Sequence, residues 1–311
     1  MTFIVAGVDG GGSKTRVIIA DERGQQLGEV VGPGSAARPG EIEHSASVIA
    51  TTLGDALASC EMSHVMPKVL CVGVAGAAAD GEREALWTAL MAYELADEVV
   101  VNPDFAIALD DAFGDGPGIL LISGTGSAAF GRGPAGRTAR CGGWGPVCGD
   151  EGSGAWIGRR ALSVVTASAD GREPETALVG AILTAAQVND PRELIAWAAQ
   201  ATPGQLATLA PIVTSVADHG DLRANALVSL AVEELVLHVR TLARSLFGDE
   251  RAATPVALSG GMLSHGSTLR KRLEQRLRSA VPGAQVTSVE VNPARGAMRG
   301  ALRHLVDSVS R

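Results

Sequence analysis

One order of elements occurs twice in this sequence: an apolar strand, a glycine-rich turn, a second strand, another turn and a third strand. The first copy has strands at Phe3–Val8, Thr15–Asp21 and Gln26–Val31, with the glycine-rich turn at Asp9–Ser13. The second copy has strands at Ile119–Ser123 and Ala128–Arg132, with turns at Gly124–Ser127 and Gly133–Gly136 and a short strand after them. A repeated supersecondary unit indicates a repeated domain, so we expect two related domains that face each other across a cleft.

The other segments alternate between strands and helices before the second copy and are largely helical after it. Helices are predicted at 39–57, 80–94 (with Asp80 as N-cap), 222–246, 266–280 and 293–308, and strands at 68–74, 98–101, 255–258 and 285–291. We place one domain at 1–102 and the other, with a large helical insertion, at 103–292. The terminal helix, in 293–311, is expected to pack back on the first domain, because Gly296 and Gly300 allow close contact.

The composition excludes several classes of protein. Of the 311 residues, 46% are apolar and 19% charged, so the chain is long and apolar enough to form two compact domains. A net charge of −8 without a basic stripe argues against nucleic-acid and anionic-membrane partners. No apolar run reaches the ~18 residues of a membrane span, and the first residues lack the features of a signal peptide, so we expect a cytoplasmic protein. The cysteines form no CxxC pair, which indicates buried thiols rather than a metal site.

The first glycine-rich turn superficially resembles a P-loop. Its residues are Gly10, Gly11, Gly12, Ser13, Lys14 and Thr15. It differs from a Walker A motif because Ser13 precedes Lys14 where that motif requires glycine, and because a strand follows instead of a helix. The segment is either an ordinary hairpin turn or a turn whose backbone N–H groups and hydroxyls hold a phosphate. Asp9 favours the second interpretation, since a carboxylate that ends a buried strand beside phosphates suits Mg²⁺.

The second glycine-rich turn contains Gly124, Thr125 and Gly126 and matches the loose dinucleotide pattern GxGxx[GA]. That pattern requires a following helix, which the segment Phe130–Pro134 forbids, so a second phosphate-holding hairpin is the better interpretation. A further glycine pair, Gly260–Gly261, lies between a predicted strand and a predicted helix. Taken alone, this pair is either a tight turn or a lining for adenosine.

Four segments carry a resemblance to a known family and span nearly the whole chain. They are Gly7–Thr15, Leu121–Ser127, Gly142–Ser153 and Leu258–Gly261. With them the chain resembles the actin, sugar kinase and Hsp70 ATPase superfamily, and more narrowly the N-acetylglucosamine kinase branch of the BadF/BadG/BcrA/BcrD ATPase family. The resemblance implies an α/β fold of two ribonuclease H-like domains facing a nucleotide cleft. It also implies ATP and Mg²⁺ as cofactors, adenosine at Gly260 and Gly261, and a small sugar as substrate.

The resemblance also implies roles for individual side chains. Asp104 takes the place of the family's base, which contacts the sugar and accepts the proton of the attacking hydroxyl. From the residues alone, Asp104 is also suited to be a helix N-cap. Asp150, with Gly143 and Thr125, is implied to bind the sugar, whereas Glu151 is expected to cap the helix that follows.

The resemblance leaves the identity of the sugar open. The family places an Asn after the third strand, and the segment Gly32–Arg38 has none. Glucosamine, N-acetylmuramic acid and other hexose derivatives are therefore candidate substrates together with N-acetylglucosamine. The family further suggests transfer to the 6-hydroxyl and a homodimer. The alternative function is that of an ATPase that activates or regulates a partner protein, although no cysteine arrangement for an iron–sulfur cluster is apparent.

Two expectations concern residues without an assigned role. Asp110, Asp111 and Asp115 are interpreted as solvated loop charges. Trp144 is interpreted as packing beneath its loop, because the glycines on both sides indicate that backbone faces the ligand.

Overall fold

The computed structural model describes residues 3–309 and divides the chain into two compact units. The first unit contains the residues up to Gly116 together with those from Val291 onward, and the second unit is Pro117–Glu290. In chain order the strands are β1 (Ile4–Gly10), β2 (Lys14–Asp21), β3 (Gln26–Pro33), β4 (Val69–Val74), β5 (Glu98–Pro103), β6 (Gly118–Ser123), β7 (Ser127–Arg132), β8 (Thr138–Gly142), β9 (Thr254–Ser259) and β10 (Ala284–Val286). The α-helices are α1 (Ile42–Ser59), α2 (Asp80–Ala92), α3 (Asp104–Phe113), α4 (Gly145–Cys148), α5 (Gly154–Ala169), α6 (Leu178–Ala186), α7 (Leu194–Gln200), α8 (Pro203–Ala207), α9 (Ala210–Asp218), α10 (Leu222–Phe247), α11 (Thr268–Ala280) and α12 (Pro293–Val309).

The first unit is a five-stranded sheet in the order β3-β2-β1-β4-β5, with helices on both faces. The β1–β2 and β2–β3 pairs are antiparallel, whereas β1–β4 and β4–β5 are parallel. Because side chains alternate along a strand, Ile4, Ala6 and Val8 pack with the apolar face of α1 and α2, whereas Val5 packs with Met298 of α12. Both faces of β1 are therefore buried.

The second unit repeats the strand pattern and adds helices. Its sheet has the order β10-β9-β6-β7-β8, with β6–β7 and β7–β8 antiparallel and β6–β9 and β9–β10 parallel. The long helix α10 begins after Asp221, whose carboxylate accepts hydrogen bonds from the N–H groups of Arg223 and Ala224. Its apolar face joins the core that also contains β6, β9 and α5. The predicted α/β class with two related domains is confirmed.

Three expectations about the fold need correction. The first unit extends to Gly116 instead of ending at 102, because α3 packs against α12 and β4. Asp80 is the first residue of α2 and not its N-cap, and its carboxylate pairs with Arg83 in the same turn. The strand predicted at 285–291 is short, since β10 is an edge strand that pairs with β9 at three positions. Within residues 3–309, no helix is both long and apolar enough to span a bilayer.

The close approach of α12 to β1 requires a glycine, and this gives a testable prediction. A Cβ atom at Gly7 lies 2.2 Å from the backbone N of Met298 and 2.6 Å from the carbonyl O of Ala294. Because backbone atoms cannot rotate away, we expect Gly7→Ala to destabilise the protein by about 1–3 kcal/mol, measured by urea unfolding. The matched control is Gly54→Ala in α1, where a Cβ meets nothing within 4 Å and about 0.5–1 kcal/mol of stabilisation is expected. Equal unfolding midpoints for the two variants would contradict this packing.

Candidate active site

In the first unit, the sheet brings Asp9 and Asp104 to the same edge. Asp9 lies near the carboxyl end of β1, paired in register with Gly73 of β4, which is paired with Asn102 of β5. Asp104 follows β5 directly as the first residue of α3. Because parallel strands end at one edge of the sheet, two carboxylates that are far apart in sequence become neighbours. This juxtaposition is the main feature of the candidate site in this unit.

Each of these two carboxyl groups has a raised pKa. Burial, and then the negative charge of Asp104, raise the pKa of Asp9 from 3.8 to about 6, against the opposing charges of Arg16 and Lys14. Burial also raises the pKa of Asp104, although an N–H···O bond from Phe105 at 2.9 Å acts in the other direction. Asp104 accepts this bond as the first residue of the helix, so it is not the N-cap, a position that Pro103 occupies.

The first glycine-rich segment is a tight hairpin turn between β1 and β2. Gly10 pairs with Thr15 in register, and the Gly11 N–H donates to the carbonyl of Lys14 at 2.9 Å. The tip of the turn, at Gly12 and Ser13, is exposed. The turn is therefore rigid at its base, while exposed backbone at its tip is available to an anion.

Ser35 supports this hairpin and was not predicted from the sequence. Its N–H donates to the carbonyl of Gly11 at 3.0 Å, and its hydroxyl accepts a hydrogen bond from Thr15 Oγ1 at 2.7 Å. Both side chains are buried. Thr15 thus holds the turn in place through Ser35 and does not present its hydroxyl to solvent. The signal in the sequence was the pair Gly34–Ser35 directly after β3, where small residues allow this close contact.

Asp9 and Asp104 fit a hard divalent cation such as Mg²⁺. The repulsion between the two carboxylates, visible in the raised pKa of Asp9, is relieved by a positive ion beside them. Within the described residues, no group of three or more His, Cys, Asp and Glu side chains is arranged to hold a metal. A cation bound at Asp9 would therefore take its other ligands from water or phosphate, as Mg²⁺ commonly does.

In the second unit, the corresponding hairpin lies between β6 and β7. Ser123 pairs with Ser127, and the Gly124 N–H donates to the carbonyl of Gly126 at 2.9 Å. Thr125, at the tip, is exposed. The hairpin is fastened to the start of α5, because the N–H of Gly154, the first residue of that helix, donates to the carbonyl of Gly124 at 2.8 Å.

Asp150 lies against this second hairpin in a strained conformation. Its φ of 57° is in the left-handed region, and only 8% of the residue is exposed. Burial raises the pKa of its carboxyl group, while the backbone N–H groups of Ser127 and Gly145 donate to it and oppose the shift. A Cβ at Gly126 lies 2.8 Å from Asp150 Oδ2. Residues held this way are enriched at functional sites.

The segment around Asp150 corrects two expectations. Ser153, and not Glu151, is the N-cap of α5, and its hydroxyl accepts a hydrogen bond from the N–H of Trp156. Trp144 does not pack beneath its loop: it is 69% exposed, and the guanidinium of Arg140 lies 5.0 Å from its ring centroid. Gly143 is half-buried and lies beside Ala128 at the start of β7.

Gly260 and Gly261 follow β9 at the same edge of the second sheet. The backbone of Gly260, with φ at +95°, passes the carbonyl of Ser123, which lies 2.3 Å from the position of a Cβ. No side chain fits there, so this turn is held against the start of the β6–β7 hairpin. Nothing lies within 4 Å of a Cβ at Gly261, which leaves space beside it.

The comparison with known proteins gives the family. The model of the BadF/BadG/BcrA/BcrD ATPase family matches residues 6–301. The chain belongs to this family. The family resemblance read from the four sequence segments is thereby confirmed.

Several known proteins are similar to the chain over nearly their full length. An N-acetylmuramic acid/N-acetylglucosamine kinase from Clostridium acetobutylicum is 30% identical over 94% of this chain and 96% of its own. An N-acetyl-D-glucosamine kinase from Dictyostelium discoideum is 27% identical over 96% and 98%. The crystal structure of a candidate N-acetylglucosamine kinase from Chromobacterium violaceum has a TM-score of 0.77 and 30% identity, covering 96% of this chain and 98% of its own.

Proposed function

We propose that this protein is an ATP-dependent kinase that transfers the γ-phosphoryl group of ATP to an amino sugar, at its 6-hydroxyl. The observation that carries the proposal is the pair Asp9 and Asp104, two partly buried carboxyl groups with raised pKa values at one edge of the first sheet. The kinase class is supported by relatives of nearly equal length that are kinases of N-acetylglucosamine and N-acetylmuramic acid.

Asp104 is assigned the role of general base. A sugar hydroxyl that attacks the γ-phosphoryl group must lose its proton, and a positioned carboxylate accepts it. Burial raises the pKa of Asp104, which makes its carboxylate a better proton acceptor than an exposed one. The hydrogen bond from the Phe105 N–H to Oδ1 fixes one oxygen, so the other carboxylate oxygen is left for the hydroxyl.

The two glycine hairpins are assigned to ATP. The exposed backbone at Gly12 and Ser13 offers N–H groups to phosphate oxygens, and Lys14 adds a positive charge beside them. On the second hairpin, the backbone around Thr125 is assigned the same task, and Gly260 with Gly261 lines the adenosine. The full set assigned to ATP is Gly10, Gly11, Gly12, Ser13, Lys14, Thr15, Gly124, Thr125, Gly126, Gly260 and Gly261. Of these, Thr15 acts through the hairpin, since its hydroxyl is occupied by Ser35.

Asp9 is assigned to Mg²⁺, which when bound neutralises charge on the transferring phosphates. The carboxylate of Asp9 holds the ion directly or through water. The positive charges of Arg16 and Lys14 oppose the rise in the pKa of Asp9 and so act toward the ionised form that a metal requires.

Asp150, Gly143 and Thr125 are assigned to the sugar. Two backbone N–H groups fix the orientation of the Asp150 carboxylate, and its remaining lone pairs can accept hydrogen bonds from sugar hydroxyls. Which amino sugar is used stays open between N-acetylglucosamine, glucosamine and related hexose derivatives. A cytoplasmic location and a homodimer also stay predictions.

Product analysis tests the proposal. The protein is incubated with MgATP and, separately, N-acetylglucosamine, glucosamine, N-acetylmuramic acid, glucose or no sugar, and ADP release is measured. For the sugar that stimulates release, ³¹P NMR with proton coupling should show a phosphomonoester coupled to two protons, as expected for the 6-position. A phosphate coupled to one proton would indicate transfer to a ring hydroxyl instead. ADP release that does not depend on sugar would favour the alternative of an ATPase that regulates a partner.

A further inference from the structure

The C-terminal helix α12 contacts both elements that carry the candidate catalytic carboxylates. Gly7 of β1 lies against the backbone of Met298, as described above. Gly296 lies against α3 so closely that a Cβ there is 1.8 Å from the carbonyl O of Ile107. One helix therefore packs directly on the strand that carries Asp9 and on the helix that begins at Asp104.

The contact between α12 and α3 includes a buried ion-pair cluster centred on Asp111. The side chain of Asp111 is 0% exposed, which corrects its interpretation as a solvated charge. Its carboxylate accepts two hydrogen bonds from Arg295, from Nε at 2.6 Å and from the terminal guanidinium at 2.8 Å. Arg299 adds a third donor at 3.3 Å, and the backbone N–H of Asn292 a fourth at 2.8 Å. Asp110, next to it, pairs with Arg303.

The position of this cluster on α3 relates it to Asp104. Asp111 is seven residues after Asp104 in a ten-residue helix. Seven residues are about two turns, so the two carboxylates project from nearly the same face, about 10 Å apart along the axis. A bidentate arginine fixes both the distance and the rotation of the helix that it holds. Any rotation of α3 about its axis that displaces Asp104 must therefore break the bonds at Asp111.

We infer that Asp111 and Arg295 are positioning residues, which hold α3 in the rotation that places the Asp104 carboxylate beside Asp9. The inference rests on the proposed function of Asp104. Stability alone does not account for the cluster, because a buried ion pair is commonly no more stabilising than apolar side chains of the same volume. What apolar side chains cannot supply is the fixed orientation that four convergent donors give to one carboxylate.

The test uses a substitution that keeps the positive charge but removes the bidentate hydrogen bonding of the guanidinium group. Arg295→Lys retains a cation beside Asp111 and loses the bidentate geometry. We expect kcat to fall about 5- to 20-fold while KM for ATP changes less than about 2-fold, because only the transition state needs the base in place. The matched control is Arg276→Lys, which removes a similar bidentate contact between α11 and α10. There Arg276 donates to the Glu233 carboxylate from Nε at 2.5 Å and from a terminal nitrogen at 3.1 Å. This control is expected to leave kcat unchanged.

A double-mutant cycle separates positioning from a general loss of structure. In single-turnover experiments with excess enzyme, Arg295→Lys is added to Asp104→Asn. If Arg295 acts through Asp104, it should cause no further loss of rate in that background. If Arg295 has only a structural role, Arg295→Lys lowers the single-turnover rate by the same factor in the wild type and in Asp104→Asn. That result overturns the inference, and so does an unchanged kcat for Arg295→Lys. If instead the wild type shows no sugar-dependent turnover, the proposed function fails first, independently of Arg295.

Discussion

Asp104→Asn is expected to reduce sugar-dependent turnover by about 10²- to 10⁴-fold, the usual contribution of a general base. Asparagine has nearly the same volume and can still accept the hydrogen bond from Phe105, but it cannot take the proton of the attacking hydroxyl. KM for ATP should stay nearly constant, because the phosphates are assigned to the glycine hairpins. The measurement is steady-state ADP release with the sugar that stimulates the wild type most.

The matched control for this variant is Asp115→Asn. Asp115 lies shortly after α3, its side chain is 80% exposed, and its ion pair with Arg303 is long at 3.6 Å. Exposed pairs of this kind contribute little to stability. We expect wild-type turnover for this control, so equal losses in the two variants would remove the special role of Asp104.

Asp9→Asn should have opposite effects on stability and on activity. Burial raises the pKa of Asp9 in the folded protein to about 6, above its ordinary value of 3.8, so folding favours the protonated carboxyl. The favourable contribution of that protonated form is present below pH 3.8 and is lost as the pH rises through about 6. At pH 8, without nucleotide or metal, the neutral asparagine should therefore stabilise the protein by on the order of 2–3 kcal/mol, and at pH 4 by close to nothing.

The activity of Asp9→Asn should fall at least about 100-fold, because a metal ion contributes several kcal/mol to stabilising charge in such a transition state. The loss should be partly recovered at high Mg²⁺ concentration, if the carboxylate holds the ion. Thermal unfolding at pH 4 and pH 8 and a Mg²⁺ titration of ADP release measure the two effects. A variant that is less stable at pH 8 contradicts the stability argument, and one whose activity does not depend on Mg²⁺ concentration contradicts the metal assignment.

Much of the fold followed from local patterns. The apolar strands, the β1–β2 and β6–β7 hairpins and the long helix α10 were predictable, because each is determined by residues close together in sequence. The rejection of a P-loop at Gly10–Thr15 also followed from the strand after it, and the structure has a strand there. The repeated order of elements indicated two related domains, and the family resemblance added that each has a ribonuclease H-like α/β fold.

What the sequence did not indicate depends on contacts between distant segments. Asp111 is interpreted as a solvated charge when only its polar neighbours are considered, and its burial results from arginines that lie about 180 residues later in α12. Ser35 supports Thr15 only because β3 pairs with β2. Trp144 is exposed and directly precedes the short helix α4, which its flanking glycines do not predict.

In the proposed reaction, a sugar hydroxyl that is deprotonated by Asp104 receives the phosphoryl group of ATP. The most direct measurement is the ratio of ADP release with and without amino sugar, determined for the wild type and for Asp104→Asn at saturating MgATP. We expect a ratio far above one for the wild type and a ratio near one for the variant. A wild-type ratio near one, or sugar stimulation that survives in Asp104→Asn, would rule out this reaction.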